Sequence, residues 1–252
     1  MDVKKFTQAF SQIIPKLCHL CRQTIAQDGT THRSHFLCKG CLDDLALNTH
    51  CCSCCAVPMP SSATRQSAVI CGECLKRPPA YSASFCPFIY TFPVDHLISN
   101  FKSSGTWQYA NHLGQLFYEK LSMQLNDGEL NRPEIISYVP LHYKRRWQRG
   151  FNQSELLAKK IATQMEIPVV DSIRKIRETS VQHTLKRTER MKNLKYAFSA
   201  KKHSGIQGKY VALVDDVVTT GATTNVLAKL LIDAGARRVD IWALARTPKG
   251  KQ

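Results

Sequence analysis

Acidic residues are scarce in this chain: 19 Asp and Glu stand against 35 Lys and Arg over 252 residues, a net charge of +16. A surplus of that sign argues for an anionic partner, whether nucleic acid, a phosphorylated ligand or an acidic membrane surface. Long apolar runs are also missing, and no stretch could span a bilayer. The opening Met1-Asp-Val-Lys-Lys-Phe6 has no apolar signal core. These absences lead to the expectation of a soluble, cytoplasmic protein. A hydrophobic content of 43% is nevertheless enough for a real core. The length suits one or two domains.

Cysteine is abundant, with 11 residues, most of them in the first third. In a reducing compartment that usage argues for metal rather than disulfides. They come as Cys18-x-x-Cys21, Cys38-x-x-Cys41, a doubled cluster at Cys51, Cys52, Cys54 and Cys55, and Cys71-x-x-Cys74. A C-x-x-C turn aims two thiolates at one tetrahedral cation, and two such turns close a structural zinc site with no open position. The intervals Cys18 to Cys41 and Cys52 to Cys74 each fit a zinc ribbon or knuckle. Spacing leaves open which pairs share a metal, and both Cys51/Cys54 and Cys52/Cys55 read as C-x-x-C. His19, His32, His35 and His50 lie among the cysteines as alternative ligands. Cys86, in an apolar run, reads as a core thiol. Upstream, Phe6, Phe10, Ile13, Ile14 and Leu17 recur at helical spacing. Pro78-Pro79 marks a linker, which places a cysteine-rich domain at 1–80 and a second domain at 81–252.

The second domain alternates strands and helices. Strands are expected at Phe85–Phe92, Ile135–Val139, Ile167–Val170, Val211–Val214 and Arg238–Ala245. Helices are expected at Val94–Lys102, Trp107–Leu125, Gln153–Met165 and Asn225–Ala234, with Asn152 and Glu155 as a capping box for the third. That alternation gives an α/β fold with a parallel sheet. Its centre is Val211-Ala-Leu-Val-Asp-Asp-Val-Val-Thr-Thr-Gly-Ala-Thr-Thr224. A buried strand delivers Asp215 and Asp216, then a small-residue turn opens a helix. Helix N-termini and threonine hydroxyls suit an anion, and Gly221 lets backbone approach a phosphate. Two carboxylates suit vicinal hydroxyls instead, so the ligand reads as a sugar phosphate.

That run closely resembles the 5-phosphoribosyl-1-pyrophosphate (PRPP) motif of type I phosphoribosyltransferases. The resemblance implies that Asp215 and Asp216 take the ribose hydroxyls. It implies that Thr219, Thr220, Gly221, Ala222 and Thr223 take the 5′-phosphate. It also implies that the loop after the first core strand, Pro140 to Lys144 with Leu141 and His142, meets the pyrophosphate and its Mg²⁺. The basic segment between Ile173 and Ala200, with no clear strand, would be a lid whose cations neutralise a departing pyrophosphate.

Between the strand expected at Ile135–Val139 and the helix expected at Gln153–Met165, Lys144, Arg145, Arg146 and Arg149 interleave with Tyr143, Trp147 and Phe151. Arginine forks suit phosphates and aromatic faces suit unstacked bases, although the same aromatics could pack inward. Single-stranded DNA is the partner this pattern fits, through Lys144, Arg145, Arg146, Trp147 and Arg149, with Lys186 and Arg190 in the lid segment. No segment forms an obvious nucleobase hood, and no catalytic residue can be nominated.

The whole chain resembles the ComF family. The match is carried by the C-x-x-C pairs, Tyr138-Val-Pro-Leu141, Arg149-Gly-Phe-Asn-Gln-Ser154, Thr179-Ser-Val-Gln-His-Thr-Leu185 and Val214-Asp-Asp-Val-Val-Thr-Thr-Gly221. Relatives show C-x-x-C-G-x-P at the third pair. In that register Cys52 and Cys55 are the ligands, and Ala56 replaces the glycine. The metal set is then Cys18, Cys21, Cys38, Cys41, Cys52, Cys55, Cys71 and Cys74, as two four-cysteine zinc sites. The resemblance implies a part in natural transformation, handling single-stranded DNA during uptake at the cytoplasmic face of the inner membrane. A helicase or channel of the uptake machinery is the protein partner it suggests. Two readings compete with it: an active phosphoribosyltransferase with an unidentified acceptor, and a zinc-dependent assembly adaptor that docks a helicase or channel through the N-terminal module.

Overall fold

The computed structural model describes residues 16–25, 36–60, 69–104, 107–141, 146–147, 149–176, 196–202 and 204–250. Compactness divides the chain into two units, Met1–Leu45 and Ala46–Gln252. Composition instead marks its change of pattern at Pro78-Pro79; the described residues 46–60 and 69–80 fall in the second unit, where Cys52, Cys55, Cys71 and Cys74 share an apolar cluster with the sheet.

In the first unit, Arg22 N–H donates to Cys18 O at 3.0 Å, closing the turn between the first two cysteines. Arg22 takes φ 63 to do so. Helix α1 (Lys39–Asp43) starts from Cys38, whose carbonyl accepts from Leu42 N–H at 3.0 Å. Leu17 sits in an isolated antiparallel bridge with Thr24 rather than on a helix. Phe6, Phe10, Ile13 and Ile14 lie outside the described residues.

The same device recurs in the second unit. Ala56 N–H donates to Cys52 O at 2.8 Å, with Ala56 at φ 53. The left-handed turn therefore forms with alanine, a conformation that explains why a glycine suits this position. Helix α2 (Gly72–Lys76) starts from Cys71 as α1 does from Cys38.

Strand β1 (Ser84–Phe85) and strand β2 (Phe88–Ile89) then appear where one longer strand was expected. Both pair in parallel, in one register, with the last strand β7 (Arg238–Arg246). The interruption has a local cause. Pro87 has no N–H for the ladder, and the Cys86 and Pro87 carbonyls are taken by Asn48, at 3.0 Å from its side chain and 2.8 Å from its backbone. Helices α3 (Val94–Ser104) and α4 (Trp107–Asn126) follow. Strand β3 (Ile135–Tyr138) and helix α5 (Gln153–Met165) come next. Beyond them the chain adds only a bridge, Ile136 with Val169, where a strand over 167–170 was expected. Pro168, again without a donor, limits the pairing there.

Residues 173–200 carry two short strands at their ends, β4 (Ile173–Lys175) and β5 (Phe198–Ala200), paired antiparallel. The basic segment between, expected as a lid and including Lys186 and Arg190, lies outside the described residues. Strand β6 (Tyr210–Val218) and helix α6 (Ala222–Asp233) complete the core with β7. The sheet order is β1-β7-β6-β3, with β2 also on β7, and every pairing is parallel. Val211 to Val214 and Val239 to Ala245 are buried throughout, as central strands of a covered parallel sheet require. Among the described residues no helix is long and apolar enough to cross a membrane.

Helices α4 and α5 meet at Gly114, where an added Cβ would stand 2.6 Å from Lys160 Cγ and 2.9 Å from its Cβ. Gly114→Ala gains helix propensity of about 1 kcal/mol but overpacks this crossing by about 1–3 kcal/mol. Urea unfolding is expected to show a net loss of stability. A gain would mean that the helices separate freely.

Candidate functional site

Strand β6 is longer than its apolar run. It carries both carboxylates within the strand, with Asp215 opposite Ala243 and Val218 opposite Arg246 of β7. On the other side β3 stops at Tyr138, opposite Val214. Past Val214, then, β6 has a strand neighbour on one side only among the described residues, and the acidic pair occupies the open carboxyl edge of the sheet. Ligands of open α/β sheets bind at such an edge.

Successive strand residues face opposite ways. Asp215 turns to α5, where its Oδ1 accepts from Ser154 Oγ at 2.9 Å and from Asp216 N–H at 2.9 Å. Asp216 turns to α3, where Lys102 Nζ stands 2.8 Å from its Oδ2. Its Oδ1 accepts from Val217 N–H at 2.7 Å. Burial, and next the Asp216 charge, push the Asp215 carboxyl up to about 7, against the pull of the Ser154 hydroxyl. The two acceptors are thus held by fixed donors and share one neighbouring cation.

The turn after β6 starts helix α6 earlier than expected, at Ala222. Gly221 is its N-cap at φ 79, a conformation glycine adopts without strain. A Cβ there would lie 3.6 Å from the Tyr81 hydroxyl, so the turn is also closely covered. Thr220 Oγ1 accepts from Ala222 N–H at 3.3 Å. Thr224 is buried and its hydroxyl donates to Gly221 O at 3.0 Å. Ala222 and Thr223 therefore lie in the first helical turn, whose N–H groups have no partner within the helix. Such a turn suits an anion better than a loose loop does.

Three residues here were not identified by sequence reasoning. Ser154 stands in a quoted stretch without a role. Lys102 has no motif around it. Arg246 ends an apolar strand, where an isolated charge was a usable signal. Its guanidinium is buried and donates to Cys55 O at 3.0 Å, Val218 O at 3.1 Å and Thr247 O at 3.0 Å. It also donates to Thr219 O.

The basic stretch divides. Trp147 is 89% exposed. Phe151 instead packs on Phe101, with ring centroids 6.0 Å apart. Arg146 pairs with Glu155 at 3.4 Å, and Arg149 donates to Gln153 at 3.5 Å. Glu155 also binds Lys159 at 2.8 Å, so it is engaged by cations while Asn152 caps α5 by accepting from Ser154 N–H at 3.1 Å. Asn152 Nδ2 donates to Val139 O at 3.0 Å, fixing the helix start to the end of β3. Leu141 is half-buried at that end. His142, Tyr143, Lys144 and Arg145 lie outside the described residues.

The cysteines gather as two sets of four, Cys18, Cys21, Cys38 and Cys41, and Cys52, Cys55, Cys71 and Cys74. Within each set all sulfurs lie within 4.8 Å of one another. Cys21 and Cys38 Sγ are 3.6 Å apart, and Cys55 and Cys71 Sγ are 3.7 Å apart. A tetrahedron with zinc–sulfur bonds of ~2.3 Å has edges of about 3.8 Å. The donor sets therefore fit a tetrahedral thiophilic cation. Cys71 N–H donates to Cys52 Sγ at 3.2 Å. The Cys55 thiol, then backbone N–H groups, lower Cys52 to about 4. Burial works against Cys18, but the N–H groups of Cys21, Cys38 and Leu20 bring it down to about 6. Cys51 and Cys54 stay outside both sets, as do His19 and His50. Burial first, then the Cys52 charge, push Cys51 up to about 11. Cys86 is buried, which raises it to about 12, as befits a core thiol.

A family model of the phosphoribosyl transferase domain matches residues 152–252. Over 236 residues the chain is 34% identical to the DNA utilization protein YhgH of Salmonella typhimurium, covering 93% of this chain and 98% of that protein. It is 34% identical over 212 residues to Competence protein F of Haemophilus influenzae, covering 83% of this chain and 90% of the other. Competence protein ComFC of Bacillus subtilis is 27% identical over 240 residues, covering 92% and 95%.

Proposed function

This chain belongs to the ComF family of competence and DNA utilization proteins and has the type I phosphoribosyltransferase fold, and on that premise we propose that it binds PRPP at the edge of β6 and single-stranded DNA on its basic surface. One observation carries the reading: a single run places Asp215, Asp216 and the Gly221 turn together at the open carboxyl edge of the sheet. The carboxylates accept the ribose hydroxyls. The turn and the first N–H groups of α6 hold the 5′-phosphate. Leu141 and His142 adjoin the pyrophosphate, whose Mg²⁺ arrives with the ligand. Both four-cysteine sets hold zinc, which when bound supplies cross-links between two turns and no chemistry. The protein handles incoming single strands in the cytoplasm at the inner-membrane face, alongside a helicase or channel.

DNA binding rests on Trp147, whose exposed indole offers a stacking face, and on Lys144, Arg145, Arg146, Arg149, Lys186 and Arg190. The test is fluorescence anisotropy of a labelled single-stranded oligonucleotide over a salt series, with and without PRPP·Mg²⁺. Binding is expected to prefer single over double strands and to change with PRPP. Trp147→Ala weakens it at fixed salt by about 1–3 kcal/mol, the value of one stacked base. Binding that salt erases and that ignores both PRPP and Trp147 would overturn the DNA reading. Pyrophosphate release in the presence of a small nucleophile would then favour the transferase. In that reaction the acceptor bonds C1′ as the C1′–oxygen bond to pyrophosphate breaks.

A further inference from the structure

Arg246 joins the second cysteine set to the anion turn. It is 4% exposed, and among the described residues no carboxylate pairs with it. A buried charge persists only where hydrogen bonds replace its water. Here four carbonyls do so: Cys55 on one side, Val218 and Thr219 on the other, and Thr247 next in sequence. Cys55 is one of the four sulfur donors of its set. Val218 ends β6, and Thr219 begins the turn that leads to Gly221. The backbone pairing of Val218 with Arg246, and the bond from Thr247 N–H to Val218 O at 3.0 Å, place this fork at the end of the sheet. A guanidinium is planar and its donors are fixed in direction. Moving the Cys55 carbonyl therefore forces the fork either to tilt away from Val218 and Thr219 or to leave a buried donor unpaired.

We propose that Arg246 is a positioning residue that couples the Cys52, Cys55, Cys71 and Cys74 set to the phosphate turn, so that metal occupancy there sets the turn's affinity for a phosphate monoester. This rests on the phosphate reading of that turn. With the set closed, the Cys55 carbonyl is fixed and the turn is preorganised. With the metal lost, the carbonyl is released and the turn loosens, which makes the anion site responsive to zinc supply.

The experiment uses the full zinc-loaded chain, the same chain after chelation, and Arg246→Lys. The probe is inorganic phosphate, with backbone hydrogen exchange of 218–224 as a second readout that needs no ligand. Chelation of the native chain is expected to speed exchange over 218–224 about tenfold more than it speeds exchange over 211–214, an excess on the scale of one charge-assisted hydrogen bond. Arg246→Lys reproduces that excess with zinc content unchanged, weakens phosphate binding about tenfold, and leaves chelation no further excess over 218–224 relative to 211–214. Exchange that changes equally over 218–224 and 211–214 on chelation, with exchange and phosphate affinity indifferent to Arg246→Lys, would overturn the coupling. Coupled exchange without phosphate binding would instead remove the phosphate reading and leave the strut in place.

Discussion

Asp215→Asn with Asp216→Asn is expected to lower PRPP·Mg²⁺ affinity at least ~100-fold, because two charge-assisted bonds of ~1.5–3 kcal/mol each are lost. Zinc content stays the same, since neither residue belongs to a cysteine set. The amides fit the same space, and in Asp215→Asn the side-chain carbonyl can still accept from Ser154. The stability of the unliganded protein should move in the opposite direction. Asp215 is raised from 3.8 to about 7, by burial first and the Asp216 charge second. A carboxyl raised in the folded state binds its proton more tightly there than in the unfolded chain. Stability therefore falls as pH rises from about 4 to about 7, and the loss is fully present above that window. Asp215→Asn removes the loss. Its melting temperature should exceed that of the native chain at pH 8 and converge with it near pH 4. Calorimetric titration with PRPP and a melting series over pH check both halves. Unchanged PRPP affinity would remove the ribose assignment. A variant less stable at pH 8 would mean that the charged pair holds the fold together rather than serving the site.

Chelation of the second cysteine set is expected to destabilise the whole second unit, not only its own loop. Cys52, Cys55, Ala56, Val57, Cys71 and Cys74 belong to the same apolar cluster as Val211, Leu213, Leu227, Val239 and Ile241. Freeing them opens one side of the sheet core. Metal binding at structural sites of this kind is worth ~10–16 kcal/mol in isolated zinc-finger peptides. Even a small share of that exceeds the effect of any single surface substitution. Cys52→Ser should lower the zinc content from two per chain to one and cut the urea midpoint sharply, by at least ~3 kcal/mol in stability. Zinc analysis beside far-ultraviolet circular dichroism reads both. An unchanged urea midpoint after complete zinc removal would show that apolar packing alone holds the cluster.

Much of this molecule was legible because its local signals agree with its tertiary use. Gln153–Met165 has its expected ends since Asn152 caps it and the chain reverses at Glu166, φ 53. The parallel sheet followed from alternating patterns, and burial of 211–214 and 239–245 bears that out. Two misread strands share one cause. At Pro87 and Pro168 a missing donor breaks a ladder that the apolar pattern continues through. In β6 the reverse happens: Asp215 and Asp216 look like the start of a turn, yet pairing with β7 keeps them in the strand. Lys102, Ser154 and Arg246 could not be placed, because each acts through contacts distant in sequence. Lys102 reaches Asp216 from α3, Ser154 reaches Asp215 from α5, and Arg246 reaches Cys55 across most of the chain. Residue spacing carries no trace of such contacts, whereas C-x-x-C turns are local and announce themselves.

The most direct measurement is a backbone hydrogen-exchange footprint of the zinc-loaded chain on titration with ribose 5-phosphate and then PRPP·Mg²⁺. Protection concentrated on 215–224 and on the start of α5, saturating with the ligand, is the expected result. A footprint elsewhere, or none at saturating ligand, would contradict a phosphoribosyl site at the edge of β6.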